Sequence, residues 1–286
     1  MENPLSQHER RAASYIAGAM LSHPGLVRAQ NEDAVLYCVP RPEDPSARLG
    51  VLALVADGMG GHAAGEVASA IAARTIRLLY YQQDGPVPSA LARAFEVANQ
   101  LIYEQSAKNP DYDGMGTTCT ALVMRDEHVW LAHVGDSRAY IVRNGEIHQL
   151  SNDHSLVASL VRDGTMTLAE AASSPEKNVI LRALGTKVSV EPQVWNEGLR
   201  FHAGDVIVLC SDGLTDLVDD ATIAATVSRR APFEACQALV DAALSAGGRD
   251  NISVGVFGIT AAAPLPAKRE RPTRTTNVRA LLGEQP

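Results

Sequence analysis

The chain has 286 residues, 46% hydrophobic and 20% charged, a balance that permits a sizeable core in one large or two modest domains. Its 33 acidic and 25 basic side chains leave a formal charge of −8, which disfavours nonspecific binding to nucleic acid or anionic lipid and makes clustered aspartates candidate cation ligands. Cys38, Cys119, Cys210 and Cys236 are far apart and form no CxxC pair, so they read as reduced, mostly buried thiols of a cytoplasmic protein.

In chain order, "SYIAGAMLSHPG" is too short and too poorly led for a signal peptide and reads as a first strand. No apolar run approaches the roughly 18 residues of a membrane span. "LGVLALVADGMGGHAAG" follows, an almost wholly apolar strand from Leu49 to Ala56 that stops abruptly at Asp57, Gly58 and a glycine-rich turn. Two amphipathic helices come next. "EVASAIAARTIRLLYY" keeps Val67, Ile71, Ile76 and Leu79 at helical spacing, and "PSALARAFEVANQLIYEQSA" aligns Leu91, Phe95, Ala98 and Ile102. The strand-like runs "TCTALVM", "HVWLAHV", "RAYIV" and "EIHQL" read as an antiparallel meander, the last pair joined by the hairpin signal Asn144–Gly145. Residues 152–187 carry helical pieces without a strong apolar face and read as a partly mobile insertion. Strands "EPQVWN" and "DVIVLC", helices near 219–229 and 232–246, and a last strand "NISVGVFGI" complete the pattern of a sheet pair with helices on both outer faces. The tail from Ala261 to Pro286 has five basic and two acidic residues, is rich in Pro and Thr, and reads as disordered.

The opening pattern recurs. "VIVLCSDGL" places Asp212 and Gly213 after another apolar run, Asp250 precedes the final strand, and Glu32 and Asp33 stand where an early strand begins. If those strands are neighbours, their ends gather the carboxylates. A single Asp-Gly is by default a plain turn; the conjunction makes a site. Gathered carboxylates repel and resist desolvation, so they hold a divalent cation or shift their pKa values upward. Oxygen donors without clustered Cys or His favour Mg²⁺ or Mn²⁺ over zinc.

Eight pieces in order, "GLVRAQNEDA", "VADGMGGHAAGEVAS", "GMGTTCTALV", "AHVGDSRAYIVRNG", "NDHSLV", "LRALG", "LCSDGLTD" and "GGRDNISV", resemble the metal-dependent, type 2C serine/threonine protein phosphatases in their bacterial form. The resemblance implies an α+β fold: a four-layer αββα sandwich of two central, mostly antiparallel sheets flanked by helices, with a flap at about 152–187. It implies a catalytic domain over 1–260 and a tail over 261–286.

By motif position, Asp57 would bridge two Mn²⁺ or Mg²⁺ ions, the Gly58 carbonyl would bind one, and Asp212 and Asp250 the other. Asp33 and Glu32 would hold metal-bound waters, Asp33 nearer the ions, with Thr118 and Asp216 as supporting partners. Bacterial members often bind a third, weaker ion, for which Asp136 is the matching ligand, although Asp136 also reads as a turn residue capping a strand. A water between two cations would attack phosphorus directly, and Arg28 would grip the phosphate. Met59 stands where many eukaryotic members carry a histidine; His62 follows, in competition with a metal-bound water as proton donor. Asp153, His154 and Arg182 match recurrent flap positions.

The resemblance implies a monomeric, cytoplasmic phosphatase of phosphoserine and phosphothreonine in proteins, opposing a cognate Ser/Thr kinase, with no nucleic-acid or membrane partner. Two other readings compete: a catalytically weak, phosphatase-like module that binds phosphoproteins, and a metal-dependent enzyme acting on nucleotides. No metal ligand is missing, which disfavours the first. No P-loop is present, which disfavours the second.

Overall fold

The computed structural model describes residues 14–60 and 64–261. His62 and the tail beyond Ala261 lie outside them. The described chain runs β1 (Ser14–His23), β2 (Asp33–Cys38), β3 (Val51–Met59), α1 (Ala64–Tyr81), α2 (Val87–Lys108), β4 (Gly116–Thr117), β5 (Cys119–Arg125), β6 (His128–Val134), β7 (Arg138–Arg143) and β8 (Glu146–Gln149). It continues through α3 (Leu156–Arg162), α4 (Leu168–Ser173), β9 (Gln193–Val194), β10 (Leu199–Arg200), β11 (Val206–Cys210), α5 (Asp212–Thr215), α6 (Asp220–Val227), α7 (Pro232–Ser245) and β12 (Ile252–Ala261).

The strands form two antiparallel sheets. One has the order β1-β12-β11-β7-β8; the other has β10-β6-β5-β3-β2, with β4 and β9 pairing at β3 and β6. Strand β3 shows why its sequence is apolar throughout. Leu52, Leu54 and Ala56 face the helices α1 and α2, while Ala53 and Val55 face the other sheet, so neither side meets water. Ile207 and Leu209 of β11 and Phe257 and Ile259 of β12 meet Ala53, Val55, Leu122, Met124 and Leu131 in the layer between the sheets. On the far side, Ile223 and Val227 of α6 and Leu239 and Ala243 of α7 cover Val208, Val254 and Val256. The result is the expected αββα sandwich.

The Leu91, Phe95, Ala98, Ile102 stripe of α2 is wholly buried, as its spacing predicts. On α1 the expected stripe is displaced. Val67, Ile71 and Leu79 are only partly buried, and the buried face is Ala64, Ala68, Ala72, Ile76 and Tyr80. Small side chains win because they let the helix approach the sheet closely, which a periodicity of large apolar residues does not reveal.

Two strand readings are corrected. The meander is broken: β5 and β6 pair in one sheet, β7 and β8 in the other, and Gly135, Asp136 and Ser137 carry the chain across. The hairpin at Asn144 and Gly145 does form, with φ of 54° and 83° as its primed turn requires. "EPQVWN" contributes only the two-residue strand β9. The strands that bear the carboxylates are neighbours in two pairs, β2 with β3 and β11 with β12, one pair in each of the facing sheets, and β3 runs on through Asp57 to Met59. Residues 152–187 contain α3 and α4, capped at their starts by Ser155 and Thr167.

Candidate metal centre

Antiparallel pairing brings the carboxylates to one end of the sandwich. Asp33 at the start of β2 is the direct register partner of Asp57 near the end of β3. In the opposite sheet, Asp212 lies just past the end of β11, and Asp250 just before its antiparallel neighbour β12. Asp136 sits in the crossing from β6 to β7, whose first residue Arg138 pairs with Cys210. Asp57 and Asp212 stand close enough across the sheets to share a hydrogen bond.

Both Asp-Gly pairs have a steric reason for glycine. A side-chain carbon on Gly58 would lie 2.1 Å from the Gly65 carbonyl oxygen, and one on Gly213 would lie 1.9 Å from that of Asn251. Backbone from another segment presses against each, so no larger residue fits.

Support for the carboxylates comes largely from residues next to the motif aspartates. Thr118 accepts the Asp57 amide through Oγ1 at 3.1 Å and donates its own amide to the Asp57 carbonyl at 2.8 Å. Ser211 bridges the two sheets: its hydroxyl donates to Asp33 Oδ2 at 2.9 Å and accepts the Ser253 amide at 3.0 Å. Asn251 accepts the Glu32 amide at 2.7 Å and donates to the carbonyls of Pro24 and Gln30 at 3.0 and 2.9 Å, fixing the loop that carries Arg28. The Glu32 carbonyl in turn accepts the Gly58 amide at 3.2 Å and the Ser69 hydroxyl at 2.6 Å. Ser211 and Asn251 escape motif reading because they look like punctuation; their adjacency to Asp212 and Asp250 is the signal that could have found them.

Arg28 is exposed and pairs with Asp250 at 2.7 Å. Asp216, also exposed, pairs with Lys177 at 2.7 Å. Asp136, Asp212 and Asp216 line one wall of a cleft of about 600 Å³ whose other wall is built from α3 and α4. Asp153 grips Arg138 with both oxygens, at 3.1 and 2.6–2.9 Å, and His154 accepts the Gly135 amide. Both hold the segment's root to the core.

Burial dominates the electrostatics. Desolvation pushes Asp57 well above the usual carboxylate range, with Asp33, Asp212 and Asp136 adding like-charge repulsion. Desolvation likewise raises Asp33 to about 7, against the hydrogen bonds of Ser253 and Ser211, and Asp136 to about 8, reinforced by Asp212 and Asp153. Asp212 rises to about 6, through desolvation and then Asp216.

Two buried oxygens, Asp33 Oδ1 and Asp136 Oδ1, have no hydrogen-bond partner among the described residues. Such atoms call for a ligand. Among the described residues no three Asp, Glu, His or Cys side chains close into a ready-made cage. Hard divalent cations do not require one: Mg²⁺ is held by one or two carboxylates and keeps several waters. The donors at hand are all oxygen, the set that suits Mg²⁺ and Mn²⁺, so the residues fit such ions.

Two face-packed antiparallel sheets with helices outside and an all-oxygen acidic centre drawn from both sheets define the architecture of a metal-dependent phosphatase. The chain belongs to the protein phosphatase 2C family, whose profile matches residues 29–246. It is 43% identical over 244 residues to the serine/threonine protein phosphatase PstP of Mycobacterium tuberculosis, an alignment covering 84% of this chain and 44% of PstP. The chain thus spans less than half the length of that relative. It is 36% identical over 239 residues to the serine/threonine phosphatase stp of Listeria innocua, covering 80% of this chain and 90% of that one. A solved structure of the PstP catalytic domain in complex with two manganese ions matches with a TM-score of 0.75 at 37% identity, over 87% of this chain and all of that one.

Proposed function

We propose that the chain hydrolyses phosphoserine and phosphothreonine in proteins, as a monomer in the cytoplasm, opposing a Ser/Thr kinase. The observation that carries this reading is the pair of carboxylate oxygens without a hydrogen-bond partner among the described residues, one on β2 and one in the crossing between the sheets, in a family of phosphatases. Relatives named as Ser/Thr protein phosphatases support the substrate class. Among the described residues no helix is long and apolar enough to cross a membrane.

In this reading Asp57, the Gly58 carbonyl, Asp212 and Asp250 hold two Mn²⁺ or Mg²⁺ ions, Asp33 and Glu32 hold their waters, and Asp136 with Asp212 and Asp216 serves a third. When bound, the cations supply Lewis acidity, neutralising phosphoryl charge and making a water acidic enough to attack phosphorus directly. Thr118 fixes the backbone that aims Asp57. Ser211 holds Asp33 by one oxygen and leaves the other open. Arg28 presents a planar guanidinium whose paired N–H groups match two phosphoryl oxygens, and Asp250 holds it at the acidic centre.

The test is turnover of p-nitrophenyl phosphate and a phosphothreonine peptide with Mn²⁺, with Mg²⁺ and with chelator. Activity is expected only with cation, and Asp212→Asn should reduce it at least 100-fold, on the scale of losing a major electrostatic element. Unchanged turnover in that variant sinks the site. Phosphopeptide binding without turnover would instead favour the regulatory module.

A further inference from the structure

Beyond the acidic cleft, on the other side of Asn152 and Arg162, lies a second concavity of about 370 Å³. Its polar lining is unlike the rest of this acidic chain, because no carboxylate contributes to it. Arg162 closes α3, and Arg182 approaches from the irregular segment before β9. Elsewhere Arg138, Arg143 and Arg200 are each paired with a carboxylate. Among the described residues Arg162 has no ion pair or hydrogen bond, and Arg182 has only a long contact, 3.5 Å, to the Glu191 carbonyl.

His154 forms part of the wall and is only 7% exposed. The Gly135 amide donates to its Nδ1 at 3.1 Å, which places the ring proton on Nε2. That N–H has no partner among the described residues. Burial, the adjacent His133 ring, Arg182 and Arg162 push the His154 pKa down to about 3, so the ring is a neutral donor at pH 7. Gln193 accepts the Asn152 amide through Oε1 at 3.0 Å, leaving its NH₂ to donate. The Ser159 hydroxyl completes the rim.

Two guanidiniums without an ion pair, beside the open N–H of a largely buried imidazole, form a receptor for an anion with several acceptor oxygens. A carboxylate brings one negative charge and two oxygens; a phosphoryl group brings about −1.5 to −2 and three. The concavity shares Asn152 and Arg162 with the cleft that holds Asp136 and Asp212, so a polypeptide in one reaches the other. From this geometry we infer that the concavity binds a second phosphoryl group of the same polypeptide substrate, next to the residue being hydrolysed. The inference rests on the phosphatase reading above and adds a preference for multiply phosphorylated segments.

The experiment compares kcat/KM for peptides carrying one phosphothreonine with peptides carrying a second phosphoserine two to six residues away on either side. Wild type is expected to favour a doubly phosphorylated peptide at one spacing by about tenfold, the scale of a charge-assisted hydrogen bond. Arg162→Gln should cut that preference several-fold, and Arg162→Gln with Arg182→Gln should bring it close to one. The ratio cancels differences in the amount of folded enzyme, and Arg162→Gln alone, at an exposed position, keeps the test valid if the double variant folds poorly.

Turnover of p-nitrophenyl phosphate with Mn²⁺ separates the two claims. If it is absent in wild type, the phosphatase reading fails; if it is present with no preference at any spacing, only the second site fails. A preference that survives both substitutions overturns the assignment, as does an equal gain from glutamate in place of phosphoserine. Relief of inhibition by inorganic phosphate in the variants, with the preference intact, would make the concavity a product site and also overturn it.

Discussion

Asp33 and Asp136 each bury an oxygen without a partner among the described residues, an arrangement that costs about 1–3 kcal/mol per group in the cation-free protein. Their folded pKa values, about 7 and about 8, lie above the usual 3.8, so the folded state holds protons that the unfolded state has released. Stability from these groups is therefore full at low pH and is lost as pH rises through their folded values. His133 and His154, lowered to about 4 and about 3, act oppositely, since only the unfolded chain protonates them as pH falls below 6.5. Between pH 6.5 and 8 the carboxylates act alone. Melting in chelator should fall across that interval, and Asp136→Asn should flatten the slope; a midpoint that rises in wild type would refute the account. The aspartates themselves are legible in sequence because each abuts an apolar run. What sequence hides at this scale is the partner: Ser211 and Asn251 owe their roles to strands 178 and 219 residues distant from the groups they hold.

At the scale of elements, periodicity finds α2 down to the buried face and locates α1 while misplacing its stripe. The reason is that large residues advertise a face, whereas Ala64, Ala68 and Ala72 define one by yielding space to the sheet. Ala72→Leu should consequently destabilise by about 1–3 kcal/mol, the usual result of overpacking. Leu78→Ala, at a residue half exposed, should change stability by less than about 1 kcal/mol. Urea denaturation of the two variants measures the contrast, and equal losses would mean that the close approach of α1 to the sheet does not set the cost. The broken meander has a similar origin. Asn144 and Gly145 announce a hairpin locally, but nothing local tells whether β6 and β7 share a sheet; the layer between Leu131 and Ile207 decides that.

For the molecule as a whole, the acidic centre straddles two sheets: Asp33 and Asp57 belong to one, and Asp212 and Asp250 flank the ends of two inner strands of the other. Cations that bind both should raise the stability of the entire sandwich, by about 2.7 kcal/mol for one site at a hundred times its dissociation constant. A calorimetric scan with Mn²⁺ should show one transition moved upward; a second, unmoved transition would mean that the sheets unfold separately. The four-layer order was readable from the alternation of elements together with the ordered motifs, while the strand order was not, because pairing between distant segments leaves no periodic trace. That strand order also has a temporal side. β1 has β12 as its sole neighbour in the sheet, Ser14 opposite Ala261, and Asp250 immediately precedes β12. A nascent chain must hold β1 unpaired until almost the last described residue has emerged, and such non-local pairing is slow. The centre therefore cannot assemble before β12 has left the ribosome, and a nascent chain that stops short of Asp250 should gain no stability from Mn²⁺.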